Sequence, residues 1–123
     1  MTEAQREWER CRPWIVAALE HGPGLESIED VERLISDGRY SFWPGANCAA
    51  VCEVADYGQG KVLTLVHAGG DMKELVEVIE PAICGYARGL GCRTMLVVGR
   101  KGWERVCKGV GYEFACITMM KAL

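Results

Sequence analysis

In the N-terminal part of the chain, hydrophobic residues recur at the spacing of an α-helix. Between residues 3 and 20, apolar side chains stand three or four positions apart, which predicts a first helix. Pro13 lies inside this helix and is expected to bend or restart it. A second helix is predicted from Ser27, because Asp30 follows three residues later as in a capping box. Gly38 ends its apolar stripe.

Strand spacing replaces helical spacing after the second helix. A short strand is expected at residues 40–43, and two longer strands at 48–56 and 61–67. The two longer strands flank a glycine-containing turn at residues 57–60, so they are predicted to form an antiparallel hairpin. The residues at 62–66 are almost wholly apolar and β-branched or leucine, as expected of a central strand.

The second half of the chain alternates helices and strands. A Gly-Gly turn at 69–70 leads into a long helix at 72–90, in which Pro81 is expected to make a kink or a division. A buried strand at 93–98, a short helix at 102–108 and a last strand at 112–120 follow. A strand–helix–strand connection implies parallel strands with a right-handed crossover.

These elements predict one α/β domain over residues 1–123. Its sheet is expected to be mixed and twisted, with about five or six strands and about four helices. A chain of 123 residues is long enough for one domain with a core.

Charge and composition exclude several classes of function. The net charge is -3 and no basic stripe is present, so nucleic-acid binding has no electrostatic support. No apolar run is long enough to span a membrane. The charged N-terminal residues do not form a signal peptide, and a cytoplasmic location is expected.

Cysteine is unusually frequent in the chain. The seven cysteines are odd in number and none belongs to a C-x-x-C pair, which argues against a disulfide framework and against a zinc site. We expect reduced thiols that pack as small hydrophobic side chains, and no metal. Cys48 and Cys52 are four apart in a predicted strand, so they share a face.

Residues 67–73 combine a strand end, two glycines and a helix start. Backbone N–H groups at a helix N-terminus bind phosphate, so this segment is a candidate phosphate cradle. Asp71 supports a second interpretation. As a helix N-cap, its carboxylate would accept hydrogen bonds from the same N–H groups and would repel a diphosphate.

The segment at 99–112 predicts a short helix and its termination. Trp103, Val106 and Cys107 fall on one helical face, where Trp103 is expected either to anchor the core or to contact a ligand. Gly111 suits a left-handed cap position, after which Tyr112 opens the last strand.

The order of these elements resembles that of the GNAT acyltransferase superfamily, without the strand that usually precedes its first helix. In the loop motif Q/R-x-x-G-x-G/A, His67 takes the first position, Gly70 the first glycine and Met72 the last position. In the C-terminal motif, Arg100 stands at the family's Asn, Trp103 at the Ala and Cys107 at the Tyr. The spacing matches, whereas these polar residues differ from the family pattern.

The resemblance implies an acetyl-CoA site between the strands at 61–67 and 93–98. The diphosphate would meet the loop, pantetheine would pair with the backbone at 65–68, and Arg100 would aid a phosphate. The cofactor-binding candidates are Val66, Ala68, Gly69, Gly70, Asp71, Met72, Lys73 and Arg100. The catalytic candidates are Glu53 and His67 as general base and Cys107 as general acid.

Two functions remain open at this point. The first is a weak or specialised N-acetyltransferase, or acyl-CoA binder, with a degenerate acyl-CoA site. The second is a non-catalytic GNAT-like protein, since the short chain is similar to GNAT-like proteins of bacteriophages, some of which are thought to be virion or internal head components. A protein partner would then use Trp8, Trp14 or Trp43 if they are exposed. The acceptor and the oligomeric state are left open.

Overall fold

Two capped helices begin the chain. In this computed structural model, which describes residues 1–123, α1 spans Glu3–Glu20 and α2 spans Ile28–Ser36. Ser27 caps α2 and forms the predicted capping box with Asp30. Of the two effects expected of Pro13, a bend or a restart, the restart does not occur, because α1 continues through the proline. The fully buried Cys11 and Ile15 hold the helix to the core on both sides of the proline.

Four strands form one sheet in the order β1-β2-β3-β4. They span Tyr40–Pro44, Cys48–Tyr57, Gly60–Gly70 and Thr94–Val97. β1, β2 and β3 pair antiparallel, whereas β3 and β4 pair parallel. The predicted hairpin, the central position of β3 and the parallel crossover are therefore confirmed.

The helical crossover between β3 and β4 is divided near Pro81, as the sequence predicts. It consists of α3 at Met72–Glu74, a π-turn at Leu75–Ile79 and α4 at Glu80–Gly89. In the π-turn, the Glu80 N–H donates to the Leu75 carbonyl five residues back. Pro81 has no N–H to donate, so the regular i to i-4 ladder cannot continue unbroken. A short 3-10 helix at Lys101–Trp103 and α5 at Glu104–Lys108 follow β4.

The sheet separates two hydrophobic clusters. One lies on what we call the α4 face, under α3 and α4. It contains Cys48, Ala50, Cys52, Leu63, Leu65, Ala68, Leu75, Ile79, Ile83 and Ala87. The other lies on what we call the α1–α2 face, and contains Cys11, Ile15, Val31, Tyr40, Ala49 and Val51. Cys48 and Cys52 share the α4 face, as predicted, and pack there as buried small side chains. All seven cysteines are unpaired.

The last predicted strand does not form. Residues 112–120 adopt no regular secondary structure, and every residue from 113 to 123 is exposed, including Phe114, Ile117 and Met119. The sheet therefore has four strands, fewer than predicted, within the α/β fold class that the sequence predicts. β4 is consequently an edge strand whose Met95, Leu96 and Val97 are half-buried instead of buried. No helix is both long and apolar enough to cross a membrane.

The three tryptophans considered for a partner surface pack against the core. Trp8 meets the Phe42 ring edge-on at 5.1 Å, and Trp43 meets Tyr86 at 5.2 Å. Trp14 is half-buried and packs against the cluster on the α1–α2 face. The core interpretation of these side chains is therefore confirmed.

Gly69 and Gly70 do not form the predicted turn. They are the last two residues of β3 and pair with Ala49 and Cys48 of β2. A Cβ on Gly69 would stand 2.4 Å from the Trp14 carbonyl oxygen of α1. Gly70 has a φ of +99°, and a Cβ there would stand 2.4 Å from the Asn47 oxygen. Close packing therefore explains both glycines without a phosphate.

Two charged side chains hold the turn between β1 and β2. Arg10 of α1 donates to the Gly45 and Ala46 carbonyls at 2.7 and 2.9 Å. Glu74 of α3 accepts the Ala46 and Asn47 N–H groups at 2.9 and 2.7 Å. The Cys48 thiol and the Asn47 N–H hold the pKa of Glu74 below its ordinary value. The turn thereby joins α1, the sheet and α3.

We expect Gly69→Ala to destabilise the protein, because the added methyl would force α1 away from β3. Overpacking of this kind costs about 1–3 kcal/mol in the free energy of unfolding. Gly85→Ala is the matched control: its Cβ meets nothing within 4 Å, and it lies inside α4. That change should stabilise the protein by roughly 0.5–1 kcal/mol. Urea unfolding measures both, and equal stability of Gly69→Ala and wild type would contradict the close approach.

We expect acid to destabilise the wild type more than the Glu74→Gln variant. Because the folded-state pKa of Glu74 is lowered, its contribution is fully present above its unfolded pKa, about 4.3. That contribution disappears as the pH falls through the folded value. Urea unfolding at about pH 6 and about pH 3.5 measures the difference. Glu77→Gln, at an exposed position in the π-turn that follows α3, should keep the wild-type pH dependence.

Candidate functional site

β3 and β4 separate midway along β3. Their register runs from Val62 opposite Thr94 to Leu65 opposite Val97, and the Val98 N–H still donates to the Leu65 carbonyl at 3.1 Å. Beyond this point β3 continues to Gly70 beside β2 alone. Residues 66–70 therefore have no strand partner on the side of β4.

A β-bulge in β3 lies at the same point. Val51 of β2 pairs with His67 and Cys52 pairs with Leu65, so Val66 is an extra residue. The bulge changes the alternation of side chains: Leu63 and Leu65 face α4, and the next residue on that face is Ala68. His67 consequently lies on the α1–α2 face, where regular alternation would have placed it toward the α4 face.

His67 belongs to a hydrogen-bonded group drawn from three elements. Its Nε2 lies 2.9 Å from Oε1 of Glu26, in the loop between α1 and α2. The Tyr40 hydroxyl of β1 donates to Oε2 of the same carboxylate at 2.8 Å. The side chains of His67 and Glu26 are only 14% and 26% exposed, so the pair is shielded but not sealed from water. Burial and the bond to Glu26 both raise the pKa of Tyr40, so it keeps its proton.

A cavity of about 300 Å³ opens beside this group. Its wall comes from the end of α1, the α1–α2 loop, the bulged part of β3 and the segment after β4. The lining residues are Ala18, Leu19, His21, Gly22, Pro23, Gly24, Leu25, Glu26, Val66, His67, Ala68, Val98, Gly99, Arg100 and Trp103. The cavity is mostly apolar, with a histidine–carboxylate pair on one wall and a cationic residue on another.

Four of the residues predicted for the site meet in this cavity. They are Val66, His67 and Ala68 of β3 and Arg100 of the segment that follows β4. Trp103 joins them. It packs against the core, as one of the two expectations for it predicts, and it also lines the cavity.

The other two catalytic candidates lie elsewhere. Glu53 is on β2, opposite Tyr40 and Thr64, and does not line the cavity. Cys107 is half-buried on α5 and also lies outside the lining. Burial, together with the charge of Glu80, raises the pKa of the Cys107 thiol.

The predicted phosphate cradle is largely occupied by the protein itself. Asp71 is the N-cap of α3, as the second interpretation of the sequence predicts, and its carboxylate accepts the Lys73 N–H at 3.0 Å. The Asp71 N–H donates to the Asn47 carbonyl at 2.8 Å. Met72 packs against the core, whereas the Lys73 side chain is exposed. Gly69 and Gly70 are paired in β3.

The C-terminal side of the site ends as predicted. Gly111 has a φ of +98°, and the Tyr112 N–H donates to the Cys107 carbonyl at 3.1 Å, which closes α5. Tyr112 then donates its hydroxyl to Glu80 at 3.1 Å.

Sequence reasoning missed Glu26. It stands 41 residues from His67 and follows a Gly-Pro-Gly-Leu stretch in a connecting loop. No motif or periodicity links two residues at that separation. Locally, Glu26 is an acidic residue directly before Ser27, the N-cap of α2. Acidic residues are common near the start of a helix, so this position did not indicate a site.

No group of three or more His, Cys, Asp or Glu residues is arranged to hold a metal ion. The site combines three features of the backbone. The parallel strands β3 and β4 separate, β3 carries a bulge, and the crossover helix begins where β3 ends.

Solved structures superpose on nearly the whole chain. A probable acetyltransferase superposes with a TM-score of 0.70 at 12% identity, covering 95% of this chain and 93% of the other. Glucosamine-6-phosphate N-acetyltransferase from Arabidopsis thaliana gives 0.63 at 13% identity, with 96% and 90% covered. The chain has the fold of the GNAT acetyltransferases. Neither a protein-family model nor a curated protein matches its sequence.

Two GNAT-fold neighbours are known with their coenzyme. The aminoglycoside N-acetyltransferase AAC(6')-Iy, in complex with CoA, superposes with a TM-score of 0.66 at 13% identity, covering 100% of this chain and 91% of the other. A predicted acetyltransferase from Clostridium acetobutylicum, with acetyl-CoA, gives 0.61 at 9% identity, with 80% and 79% covered. At these identities the likeness establishes the GNAT fold alone.

Proposed function

We propose that the protein is an acyl-CoA-dependent N-acyltransferase that acts at the cavity beside His67. The observation that carries the proposal is the departure of β4 from β3 beyond Leu65, with His67 on the wall of the cavity that opens there. A binding slot and a proton-accepting side chain thus lie together. The GNAT fold raises the prior for this chemistry without assigning it.

The open edge of β3 fits the pantetheine arm of acetyl-CoA. Pantetheine contains amide groups, and residues 66–68 have backbone groups toward β4 that no other backbone group pairs. An extended amide chain added to such an edge gains main-chain hydrogen bonds. When bound, acetyl-CoA supplies a thioester whose acyl group passes to the amine nitrogen as the carbon–sulfur bond breaks.

His67 is the residue to which we assign proton removal. An ammonium ion loses two protons on becoming an amide nitrogen: His67 takes one, and the other ends on the departing sulfur. Histidine exchanges protons near neutral pH, and the Glu26 carboxylate stabilises the imidazolium that forms. Glu53 and Cys107 do not line the cavity, so neither is given a proton-transfer step here.

The diphosphate end of the slot fits less well, and we propose that coenzyme affinity is low for this reason. Asp71 places a carboxylate where the resemblance implies a diphosphate, and that carboxylate occupies the Lys73 N–H. Two like charges a few ångströms apart repel by about 1 kcal/mol in water and more in a drier site. Arg100 and the Lys73 side chain are the cations that would offset part of this repulsion.

One alternative has its own supporting observation. A non-catalytic GNAT-fold protein, such as a bacteriophage virion or internal head component, would need a surface for a protein partner. The exposed apolar side chains of residues 113–123, including Phe114 and Met119, are suitable for such a contact. Absence of acetyl-CoA binding at millimolar concentration would favour this alternative over the enzyme.

We expect Asp71→Asn to tighten acetyl-CoA binding about fivefold, because it removes one repulsion of about 1 kcal/mol. Asparagine caps helices about as well as aspartate, so the stability should be unchanged. Isothermal titration measures affinity and thermal unfolding measures stability. Asp56→Asn, at an exposed position at the far end of β2, is the matched control and should bind as wild type. Unchanged affinity of Asp71→Asn would place the diphosphate elsewhere.

We expect His67→Gln to lower kcat for amine acetylation by about 10²- to 10⁴-fold, the usual contribution of a general base. Acetyl-CoA affinity should change little, because the backbone edge of β3 remains. The assay follows CoA thiol release with a panel of primary amines. Arg105→Gln, at an exposed position of α5 outside the cavity, is the control and should keep wild-type turnover. Full turnover in His67→Gln would rule out His67 as the base.

A further inference from the structure

Each oxygen of the Glu26 carboxylate has a side-chain partner within hydrogen-bonding distance. Tyr40 donates its hydroxyl to Oε2 at 2.8 Å, and Nε2 of His67 lies 2.9 Å from Oε1. The three side chains come from β1, the α1–α2 loop and β3, so the group closes only in the folded protein. Tyr40 also meets the His67 ring edge-on at 6.3 Å, which restricts the ring further.

The direction of these bonds follows from the chemistry of the groups. Tyr40 keeps its proton and therefore donates, so Oε2 acts as an acceptor. An ionised carboxylate has no proton to give, so Oε1 also accepts, and Nε2 of His67 must carry the hydrogen of that bond. A neutral imidazole with its proton on Nε2 has its lone pair on Nδ1.

We propose that Glu26 and Tyr40 are positioning residues that hold neutral His67 as the Nε2–H tautomer and leave Nδ1 as the atom that accepts the proton. The use of this arrangement in catalysis rests on the proposed function, whereas the tautomer itself does not. The proton of the acceptor ammonium binds Nδ1, and the resulting imidazolium keeps its second N–H on the Glu26 carboxylate. No atom is oxidised or reduced in this step.

The arrangement explains why the bulge and the loop must act together. The bulge at Val66 brings His67 to the α1–α2 face, but it leaves the tautomer undetermined. The loop residue Glu26 supplies the acceptor that decides it. Tyr40 donates the hydrogen bond that restrains the carboxylate, and its ring belongs to the hydrophobic cluster on the α1–α2 face. A ring free of Glu26 would exchange between its two neutral forms.

Nitrogen NMR tests the tautomer without any activity. Long-range ¹H–¹⁵N correlation of histidine-labelled protein, at a pH above neutral, distinguishes protonated from unprotonated ring nitrogens. The chain has two histidines, so the spectrum of His67→Gln assigns His67 by difference. We expect a single Nε2–H form for His67 in the wild type. An Nδ1–H form, or an even mixture, would overturn the proposal.

Substitution of Glu26 tests the cause. Glu26→Gln should give a mixture of the two tautomers, because an amide can accept or donate at this site. Glu29→Gln makes the same change of charge three residues away, at an exposed side chain with no hydrogen bond, and should leave the His67 signals unchanged. A wild-type spectrum in Glu26→Gln would overturn the role of Glu26. Should that variant fail to fold, the wild-type spectrum still decides the tautomer.

Kinetics then test whether the tautomer matters. We expect Glu26→Gln to lower kcat about 10- to 100-fold, as loss of a residue that orients a functional histidine does in metal sites. The amine KM should stay within about twofold, since binding contacts are kept. Glu26→Asp, which keeps an accepting carboxylate, should recover part of kcat. An unchanged kcat in Glu26→Gln would overturn the positioning role. Wild-type protein inactive with every amine would overturn the proposed function and leave the tautomer as the spectra assign it.

Discussion

The single extra residue in β3 is the constraint on which the site depends. Regular alternation would carry residue 67 to the α4 face, into a cluster of buried apolar side chains. A histidine there would lose its hydration without a partner, which is costly. With Val66 bulged, Ala68 fills the α4 face, and His67 meets Tyr40 and Glu26 on the other face. One irregularity thus satisfies the core and exposes a titratable group to the cavity.

In the same region, close packing and phosphate binding are two alternative explanations for Gly69 and Gly70. In a strand–glycine–helix segment, glycine is as easily explained by close backbone approach as by a phosphate. Gly69 lies under the Trp14 carbonyl of α1, and Gly70 lies against Asn47. The two contacts seat α1 and the β1–β2 turn on the sheet. The helix that follows is capped by Asp71, so the protein occupies donors that a phosphate would use.

Local signals in the sequence were reliable where the cause was local. The capping box of Ser27 and Asp30, the N-cap at Asp71 and the left-handed Gly111 each depend on contacts within a few residues. Residues 112–120 were misjudged because their apolar, β-branched composition permits a strand, whereas a strand also needs a neighbour to pair with. In this structure they have none, and β4 stays an edge.

The sequence by itself determined the order of the helices and of the first four strands, and the capping of α2 and α3. The expectation that Val66, His67, Ala68 and Arg100 lie near one slot came from the resemblance to a known fold. Hydrophobic periodicity and helix capping depend on residues that are close together in the chain, so the sequence shows them directly. The tertiary structure alone decided the bulge at Val66, the point at which β4 separates from β3 and the pairing of His67 with Glu26. Each of these depends on contacts between residues that are distant in the chain, such as Glu26 and His67, which are 41 positions apart. No local sequence pattern encodes such contacts.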